Sequence, residues 1–155
     1  MLNRTRAGAA RRTMAANARQ PYLLDEQVGF LMRVAMQRHT AIFMSRMVKG
    51  LTQTQFAVLV KLLEVGPSSQ NHLGRLVCLD AATIKGVVDR LRARGLVTTC
   101  NDPRDRRRRA VALTHAGRRM TLAAVAAARG ISTATLDPLT ERERWLLARL
   151  LAKLR

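Results

Sequence analysis

Helix-capping and helix-breaking residues follow one another at short intervals after residue 50, and this series constrains the fold more than any other feature. Gly50 ends one helical pattern, and Thr52 caps the next, with Gln55 at the spacing of a capping box. The apolar residues of this second pattern recur at helical spacing until Gly66-Pro67 interrupts them. The sequence therefore predicts a helix between these two breaks.

Two shorter helices are predicted after the Gly66-Pro67 break. Either Ser68 or Ser69 caps the first of them, and Asp80 caps the second, which runs to about residue 94. Gly95 then closes the second helix as a C-terminal cap. Two helices joined by a tight connection form a helix-turn-helix, whose second helix can enter the major groove of DNA.

The predicted helix-turn-helix is followed by two β-prone runs, Leu96 to Thr99 and Ala110 to Leu113, which predict a β-hairpin. Asp102-Pro103 marks its loop. The segment also has five arginines in six positions, namely Arg104, Arg106, Arg107, Arg108 and Arg109. A hairpin beside a recognition helix can reach the minor groove, which attracts arginine. The combination predicts a winged helix-turn-helix.

Longer helical patterns lie on both sides of this unit. The pattern from Pro21 to Lys49 is apolar on two faces, so this helix needs two packing partners, one of which could be a second subunit. After the hairpin, Thr114 caps a helix from His115 to about Thr133, and an amphipathic helix follows from Leu139 to Leu154. The predicted fold class is mainly α with a small β wing, as a winged helix-turn-helix domain plus a helical dimerisation region.

The predicted domain organisation has three parts. Residues 1–20 carry basic residues without acidic ones and should form a flexible basic N-terminal arm. Residues 51–114 form the winged helix-turn-helix DNA-binding domain, and residues 21–49 and 115–155 supply the dimerisation helices. We expect a homodimer, because the two-faced first helix and the apolar last helix cannot both be buried in a monomer.

The net charge indicates a polyanionic partner. The chain has 28 Lys and Arg residues against 10 Asp and Glu, a formal charge of +18. Nucleic acid is the usual partner of such a chain, and a dimer should bind double-stranded DNA at an inverted-repeat operator. Membrane surfaces and acidic proteins are other possible partners of a basic chain, but no apolar run is long enough to span a bilayer, and we expect no membrane partner. A nucleoid-type protein that binds DNA without sequence preference and a basic protein-interaction or RNA-binding adaptor remain alternatives.

We predict DNA contacts from the helix-turn-helix and from the wing. Thr83 and Lys85, in the N-terminal half of the recognition helix, are the best candidates for a base or phosphate contact. Gly86 would let the backbone approach DNA closely. Arg104 and Arg106, nearest the tip of the wing, are the candidates for the minor groove. The predicted DNA-binding residues are Ser69, Gln70, Asn71, Ala82, Thr83, Lys85, Gly86, Arg90, Arg104, Arg106 and Arg107.

The wing resembles the signature of MarR-type transcriptional regulators. The matching residues are the string from Asp102 to Arg107, then Val111, Leu113-Thr114 and Gly117, and upstream Leu51-Thr52, Phe56, Leu59, Asp89-Arg90-Leu91 and Gly95-Leu96-Val97. The resemblance covers about residues 28–154. It implies an obligate homodimer that binds a palindromic operator and is regulated by a small molecule held between the dimerisation and DNA-binding parts. A narrower likeness, over residues 69–76 and 82–91, is to proteobacterial repressors of nicotinate degradation.

An effector site is predicted on the first helix. His39 and Arg46 fall on its core-facing stripe, where burial without a partner would be costly. Arg46 could pair with a carboxylate and His39 could donate a hydrogen bond, while Met32, Met36 and Phe43 would supply an apolar lining. The expected ligand is an aromatic or heteroaromatic acid, and the resemblance suggests an intermediate of nicotinate degradation. The alternative is that the histidine is satisfied by backbone and the arginine by an acidic residue.

Other functions have less support in the sequence. Cys78 and Cys100 are far apart, which predicts free thiols in a reducing compartment, with Cys78 in the core. Arginines near Cys100 could make its thiol reactive, so a redox-responsive repressor is a further alternative. The histidines lack metal-ligand spacing and no catalytic motif is present, so we expect no metal, no cofactor and no enzymatic activity. The expected location is the bacterial cytoplasm, on the nucleoid when bound to DNA.

Overall fold

The computed structural model of the protein describes residues 21–101, 107 and 109–154. These residues form six α-helices and a two-stranded sheet. The helices are α1 (Val28–Arg46), α2 (Gln53–Val65), α3 (Gln70–Leu76), α4 (Ala81–Ala93), α5 (His115–Thr135) and α6 (Glu141–Lys153), and the strands are β1 (Val97–Asn101) and β2 (Arg109–Leu113). This order of four helices, a hairpin and two helices confirms the predicted fold class.

The chain divides into two compact units, residues 1–37 and 38–155, with the boundary inside α1. The described part of the first unit consists of a 3₁₀ turn at Leu24–Glu26 and the first half of α1. Gln27 has extended backbone angles, and its side-chain amide donates to the Leu23 carbonyl at 2.9 Å. The prediction of one continuous helix from Pro21 was therefore wrong at its start, because the extended Gln27 separates the 3₁₀ turn from α1.

A buried apolar cluster organises the second unit. Its fully buried members include Leu51, Leu59, Leu73, Ile84 and Leu91, which come from the segments that flank and form α2, α3 and α4. Within this unit α2 packs against α5, and α3 packs against α4. Because the burial of apolar surface is the main driving force of folding, this cluster fixes α4 relative to α2 and the hairpin.

Side-chain caps begin the helices of this unit. Thr52 and Gln55 form the predicted capping box, with both hydrogen bonds at 3.2 Å. Ser69 caps α3 by accepting a backbone N–H of its first turn at 3.3 Å. Ser68 is buried and pairs its backbone with that of Val111 in β2. The sequence alone did not decide which of the two serines caps α3. Ser69 is the cap, and Ser68 pairs with the hairpin instead.

The first helix ends at Arg46, earlier than the predicted Lys49. A 3₁₀ turn at Val48–Gly50 follows, in which Lys49 has φ 48° and Gly50 has φ 61°. A right-handed helix cannot continue through two left-handed residues. Phe43 and Met47 are buried just before this turn, so the end of α1 enters the apolar cluster while the chain changes direction toward α2.

The wing is present as an antiparallel hairpin in which Val97 pairs with Leu113 and Asn101 pairs with Arg109. Both strands reach further toward the loop than the predicted ends at Thr99 and Ala110. The Arg109 guanidinium donates to the Asn101 side-chain oxygen at 3.1 Å, and this cross-strand hydrogen bond accounts for the longer pairing.

The last helix begins at Glu141 instead of the predicted Leu139. Thr140 caps it, and Glu143 completes a capping box by accepting from the Thr140 backbone N–H at 2.8 Å. The hydrogen bond from the Thr140 hydroxyl holds the pKa of Glu143 below its usual range. The predicted start was wrong because apolar periodicity marks a buried face, whereas the cap fixes the first residue of a helix.

The packing of the start of α5 against Leu96 can be tested by substitution at Gly117. A Cβ atom at Gly117 would overlap the carbonyl oxygen of Leu96, which is already held by the Thr114 backbone N–H at 3.1 Å. We expect Gly117→Ala to lower the free energy of unfolding by about 3 kcal/mol, because backbone cannot move aside as a side chain can.

The matched control is Gly130→Ala, in the same helix, where an added Cβ meets no atom within 4 Å. This variant should raise the free energy of unfolding by up to about 1 kcal/mol, because alanine favours the helix. Urea unfolding of both variants checks the prediction. Equal stability of the two variants would contradict the packing of α5 on the hairpin.

Candidate nucleic-acid interface

The turn between α3 and α4 is closed by a backbone hydrogen bond from Leu79 N–H to the Gly74 carbonyl, at 2.8 Å. A Cβ at Gly74 would lie 3.0 Å from the Leu79 carbonyl oxygen, so the close approach favours glycine at this position. Cys78, within the turn, has φ 55° and is exposed. The prediction of a core position for Cys78 was wrong, because a left-handed residue in a tight turn directs its side chain away from the helices that the turn connects.

The fourth helix is amphipathic and buries one side in the apolar cluster. Ile84, Val87, Val88 and Leu91 are buried. The other side faces solvent and includes most of the predicted DNA-contact residues of this helix, which are Ala82, Thr83, Lys85 and Arg90. The helix therefore has the one-sided exposure that a recognition helix needs.

Asp80 fixes both the start of α4 and the orientation of Thr83. One carboxylate oxygen accepts the Thr83 backbone N–H at 2.8 Å, and the other accepts the Thr83 hydroxyl at 2.6 Å. The side-chain hydrogen bond from Thr83, followed by the backbone hydrogen bond, holds the pKa of Asp80 below its ordinary value of 3.8. Because the hydroxyl hydrogen is committed to Asp80, Thr83 offers outward only an oxygen lone pair and its methyl group.

A chain of polar contacts runs from α4 to the wing through Asp89. The Asp89 carboxylate pairs with the Lys85 ammonium at 2.8 Å and with the Arg92 guanidinium at 2.9 Å. Arg92 also donates to the Thr99 hydroxyl of β1 at 3.1 Å. The hydrogen bond from Lys85 is the largest cause of the lowered pKa of Asp89. These pairs are exposed and add little stability, and they place the two cations side by side on the outer surface.

In the sequence, Asp89 was named only as part of the family resemblance, and no contact was assigned to Asp89 or Arg92, although the signal was present. The carboxylate lies four residues after Lys85 and three before Arg92, and side chains at both spacings are neighbours on a helix. The third contact, from Arg92 to Thr99, joins two elements and could not be predicted from helical spacing.

Gly86 lies next to the guanidinium of Arg90. A Cβ added at Gly86 would lie 3.4 Å from this guanidinium, which is an ordinary van der Waals distance. The described contacts therefore do not require glycine at position 86. Close approach of DNA to the Gly86 backbone stays a prediction.

The first turn of α3 lies beside the start of α4. Asn71 and Arg75 of α3 line a cleft of about 250 Å³ together with Ala81 of α4. The other two predicted contacts of this turn are half-buried: Ser69 is occupied as the helix cap, and Gln70 follows it. Of the three α3 candidates, the structure thus brings Asn71 next to the N-terminal end of α4.

The wing contributes one described candidate, Arg107, which is exposed. Arg104 and Arg106, the residues predicted for the minor groove, lie outside the described residues. Arg109 is exposed and is held against Asn101.

The predicted effector residues are only partly brought together. His39 is half-buried, with Nδ1 at 2.9 Å from the Thr135 hydroxyl, and Phe43 is buried. Arg46 is exposed and donates to the Gly130 carbonyl at 3.5 Å. The expectation that Arg46 faces the core was wrong, because the long side chain reaches out along α5. The alternative without an effector is wrong in both parts, because His39 pairs with a hydroxyl and not with backbone, and Arg46 pairs with backbone and not with an acidic residue.

Arg46 lines a cleft between the second half of α1 and the C-terminal end of α5, with a volume of about 540 Å³. Arg38 lines it as well and donates to the Ala134 carbonyl at 3.2 Å. The cleft also has one carboxylate, Asp137. Met32 and Met36, which belong to the first unit, are exposed, and their part in an effector site stays a prediction.

The described residues give no sign of two other kinds of site. Among them, no three His, Cys, Asp or Glu side chains lie close enough together to hold a metal ion. None of the described helices combines the length and the apolar character that crossing a membrane requires.

Comparison with known proteins establishes the class. Residues 51–108 match the model of the MarR family. The HTH-type transcriptional repressor NicR of Pseudomonas putida is 44% identical over 86% of this chain and 85% of its own length. The transcriptional regulator HosA of Escherichia coli O111:H- is 30% identical over 79% of this chain and 90% of its own. The chain belongs to the MarR family and is a winged helix-turn-helix transcriptional regulator.

Solved structures agree with this assignment. A probable transcriptional regulator from Pseudomonas aeruginosa superimposes with a TM-score of 0.82 at 51% identity, over 86% of this chain and 100% of that one. BpsR of Bordetella bronchiseptica, whose DNA binding is regulated by 6-hydroxynicotinic acid, superimposes with a TM-score of 0.81 at 40% identity, over 87% of this chain and 97% of that one. PcaV of Streptomyces coelicolor, in complex with its natural ligand, superimposes with a TM-score of 0.79 at 30% identity, over 87% of this chain and 96% of that one.

The Asp80 cap gives a pH-dependent prediction. Because the pKa of Asp80 is lower in the folded state than the ordinary 3.8, the ionised cap stabilises the fold above that value, and the contribution is lost as pH falls through the folded pKa. We expect Asp80→Asn to be less stable than wild type near neutral pH, with a difference that disappears in acid.

Urea unfolding of wild type and Asp80→Asn over a series of acidic pH values measures this difference. Thr83→Val, which keeps the carboxylate and removes only the hydroxyl donor, should remove part of the same pH dependence. If the stabilities of wild type and Asp80→Asn remain parallel over the whole range, the cap does not act through its charge.

Proposed function

We propose that the protein is a homodimeric repressor that binds an inverted-repeat operator and is released from it by a small aromatic or heteroaromatic acid. The observation that carries the DNA-binding part is the exposed N-terminal half of α4, held by the Asp80 cap beside a basic wing in a chain of net charge +18. Its place of action is then the bacterial cytoplasm, on the nucleoid when bound.

The proposed DNA contacts divide into two kinds. We assign Thr83, near the start of α4, to a base edge, and we assign Lys85, Arg90 and the wing arginines to phosphates or to the minor groove. The full set is that predicted from the sequence, namely Ser69, Gln70, Asn71, Ala82, Thr83, Lys85, Gly86, Arg90, Arg104, Arg106 and Arg107.

The proposed dimer rests on apolar side chains that the chain by itself leaves in solvent. On α6, Trp145 is 59% exposed, and Leu146, Leu150 and Leu151 are each nearly half exposed. Such a stripe on an amphipathic helix is costly unless a partner covers it. In the first unit, Val28 is 70% and Leu31 52% exposed. We assign residues 21–49 and 115–155 to dimerisation.

The proposed effector follows from the relatives and from the cleft that Arg46 lines. BpsR is regulated by 6-hydroxynicotinic acid, and NicR is the 44% identical repressor. Arg38 and Arg46 each use one guanidinium nitrogen on a backbone carbonyl, which leaves N–H groups for a carboxylate. His39, Phe43, Met32 and Met36 remain the proposed neighbours of the ring.

Release of DNA by such a ligand requires a difference in affinity between two states. A ligand shifts the equilibrium only if it binds more tightly to the conformation that mismatches the operator. The factor by which it weakens DNA binding must then equal the factor by which DNA weakens ligand binding.

A non-specific nucleoid-type protein is the second candidate, and the charge of +18 is the observation that favours it. Genome-wide mapping of bound DNA separates the two, because a regulator concentrates at a few promoters. Preference for its site over random DNA should exceed about 10³ for a regulator. A uniform distribution along the chromosome would favour the non-specific candidate.

The division between base and phosphate contacts is testable by substitution. Thr83→Ser keeps the hydroxyl and its bond to Asp80 but removes the methyl group, so it should change preference at a single base pair by about 1–3 kcal/mol. Arg107→Ala should weaken binding to all sequences and reduce the slope of affinity against salt by about 1.

Binding of both variants to a library of operator sequences, at several salt concentrations, checks these expectations. The control is Arg129→Gln, which removes one positive charge from an exposed position on α5. The proposed roles would be refuted by equal weakening of all sequences in both Thr83→Ser and Arg107→Ala.

The effector prediction concerns 6-hydroxynicotinate and related ring acids. Titration by calorimetry, with and without operator DNA, should give the same coupling factor from both directions. Arg46→Gln and His39→Ala should each weaken the ligand by about tenfold, the value of one charge-assisted hydrogen bond. Unchanged ligand affinity in both, with Arg129→Gln as the reference, would place the site elsewhere.

A further inference from the structure

One cross-strand pair of the wing is attached to the helix-turn-helix on both of its strands. In this pair, Thr99 of β1 lies opposite Val111 of β2. The Val111 backbone exchanges two hydrogen bonds with that of Ser68, which precedes α3, at 2.9 and 3.0 Å. On the other strand, the Thr99 hydroxyl accepts a hydrogen bond from the Arg92 guanidinium of α4 at 3.1 Å. The segment before α3 thus holds one strand of the pair, and α4 holds the other.

The two attachments differ in kind. Ser68 and Val111 are buried, so the attachment of β2 is part of the interior. The attachment of β1 is a single side-chain hydrogen bond between a half-buried threonine and Arg92, whose side chain is 45% exposed. A second nitrogen of the same guanidinium donates to Asp89 at 2.9 Å. Because the guanidinium is planar and its donors are rigidly arranged, the contact with Asp89 aims the other nitrogen at Thr99.

The strand ends beyond this pair lead to the arginine-rich loop of the wing. Two further pairs, Cys100 with Ala110 and Asn101 with Arg109, lie between it and the loop. Among the described residues, the contact from Arg92 is the only hydrogen bond that joins α4 to either strand. The direction of the outer wing relative to α4 therefore depends on this contact and on the packing at the base of the hairpin.

We infer that Arg92 is a positioning residue, whose hydrogen bond to Thr99 fixes the direction in which the wing leaves α4. A helix in the major groove and a wing in the neighbouring minor groove must keep one mutual orientation, because the geometry of B-DNA sets the distance between the grooves. A wing that moves freely has this orientation for only a fraction of the time, and the apparent affinity falls by that fraction. The effect on DNA binding rests on the proposed function, whereas the ordering of the wing does not.

Thr99→Val removes the hydroxyl acceptor without changing any charge, and valine keeps the branched shape that strands favour. We expect it to bind a promoter duplex, identified by genome-wide mapping, about fivefold more weakly than wild type does, the value of one net hydrogen bond. The slope of affinity against salt should not change, because no phosphate contact is lost. The loss should be smaller on random DNA, where binding depends mainly on charge.

Two variants of the same strand serve as controls. Thr99→Ser keeps the hydroxyl and should bind as wild type does, although serine lacks the branched shape that favours a strand. Thr98→Val makes the same chemical change at the neighbouring position, which is exposed and whose side chain has no hydrogen-bond partner among the described residues. In an Arg92→Ala background, Thr99→Val should weaken binding by less than about twofold, because its partner is already absent.

Amide hydrogen exchange without DNA measures the ordering of the wing by itself. Both polar groups of the Val111 backbone are bonded to Ser68, so the next pair toward the loop, Cys100 and Ala110, is a hydrogen-bonded pair of the hairpin. The amides of this pair should exchange up to about fivefold faster in Thr99→Val than in wild type, with no change in Thr99→Ser.

Three results would overturn the inference. The first is equal exchange at Cys100 and Ala110 in Thr99→Val and Thr98→Val, and the second is equal weakening of DNA binding in Thr99→Val and Thr99→Ser. The third is equal promoter affinity of Thr99→Val and Thr98→Val while Arg107→Ala weakens binding, since the wing then acts without this contact. Unchanged affinity in Arg107→Ala would instead refute the proposed wing contact with DNA, and the exchange rates then decide the positioning role by themselves.

Discussion

The close approach of the chain at Gly74 is the constraint on which the rest of the proposed DNA-binding surface depends. The Leu79 N–H reaches the Gly74 carbonyl, and any Cβ at that glycine would press on the backbone of the turn. This contact sets the connection between α3 and α4, so that Ile84 is buried beneath the turn while Thr83 faces outward. A wider turn would require a different packing of α4 and would move every exposed residue on it.

Electrostatics then decides what this surface can bind. The chain has 28 Lys and Arg residues against 10 Asp and Glu. Asp89 pairs with both Lys85 and Arg92, so one acid serves two cations and the net charge there stays positive. In the second unit, Arg94 joins the end of α4 to other elements by donating hydrogen bonds to two neutral acceptors, the Gln55 side-chain oxygen and the Lys49 carbonyl. The charge therefore remains available to phosphates outside and to a carboxylate in the cleft that Arg46 lines.

Local chemistry made much of this fold predictable, and tertiary contacts account for what was missed. Thr52 and Asp80 were predicted as caps because a hydroxyl or carboxylate oxygen meets the free N–H groups of a first turn. The left-handed Lys49 and Cys78 have no such signal, because their conformations are imposed by the packing of the flanking helices. Arg46 lies on the predicted helix but is exposed instead of facing the core. Apolar periodicity identifies the face of a helix but does not say which other helix packs on it or how far that packing extends.

We propose that a symmetric pair of recognition helices reads the operator, and binding to half-sites tests this proposal. Two half-sites about 10 base pairs apart should be occupied by two protomers. The measurement is sedimentation of the protein with a mapped operator duplex, together with the affinity for a duplex in which one half-site is scrambled. We expect two chains per intact operator and a loss of affinity of more than about tenfold when one half-site is scrambled. One chain per operator, or equal affinity for both duplexes, would contradict it.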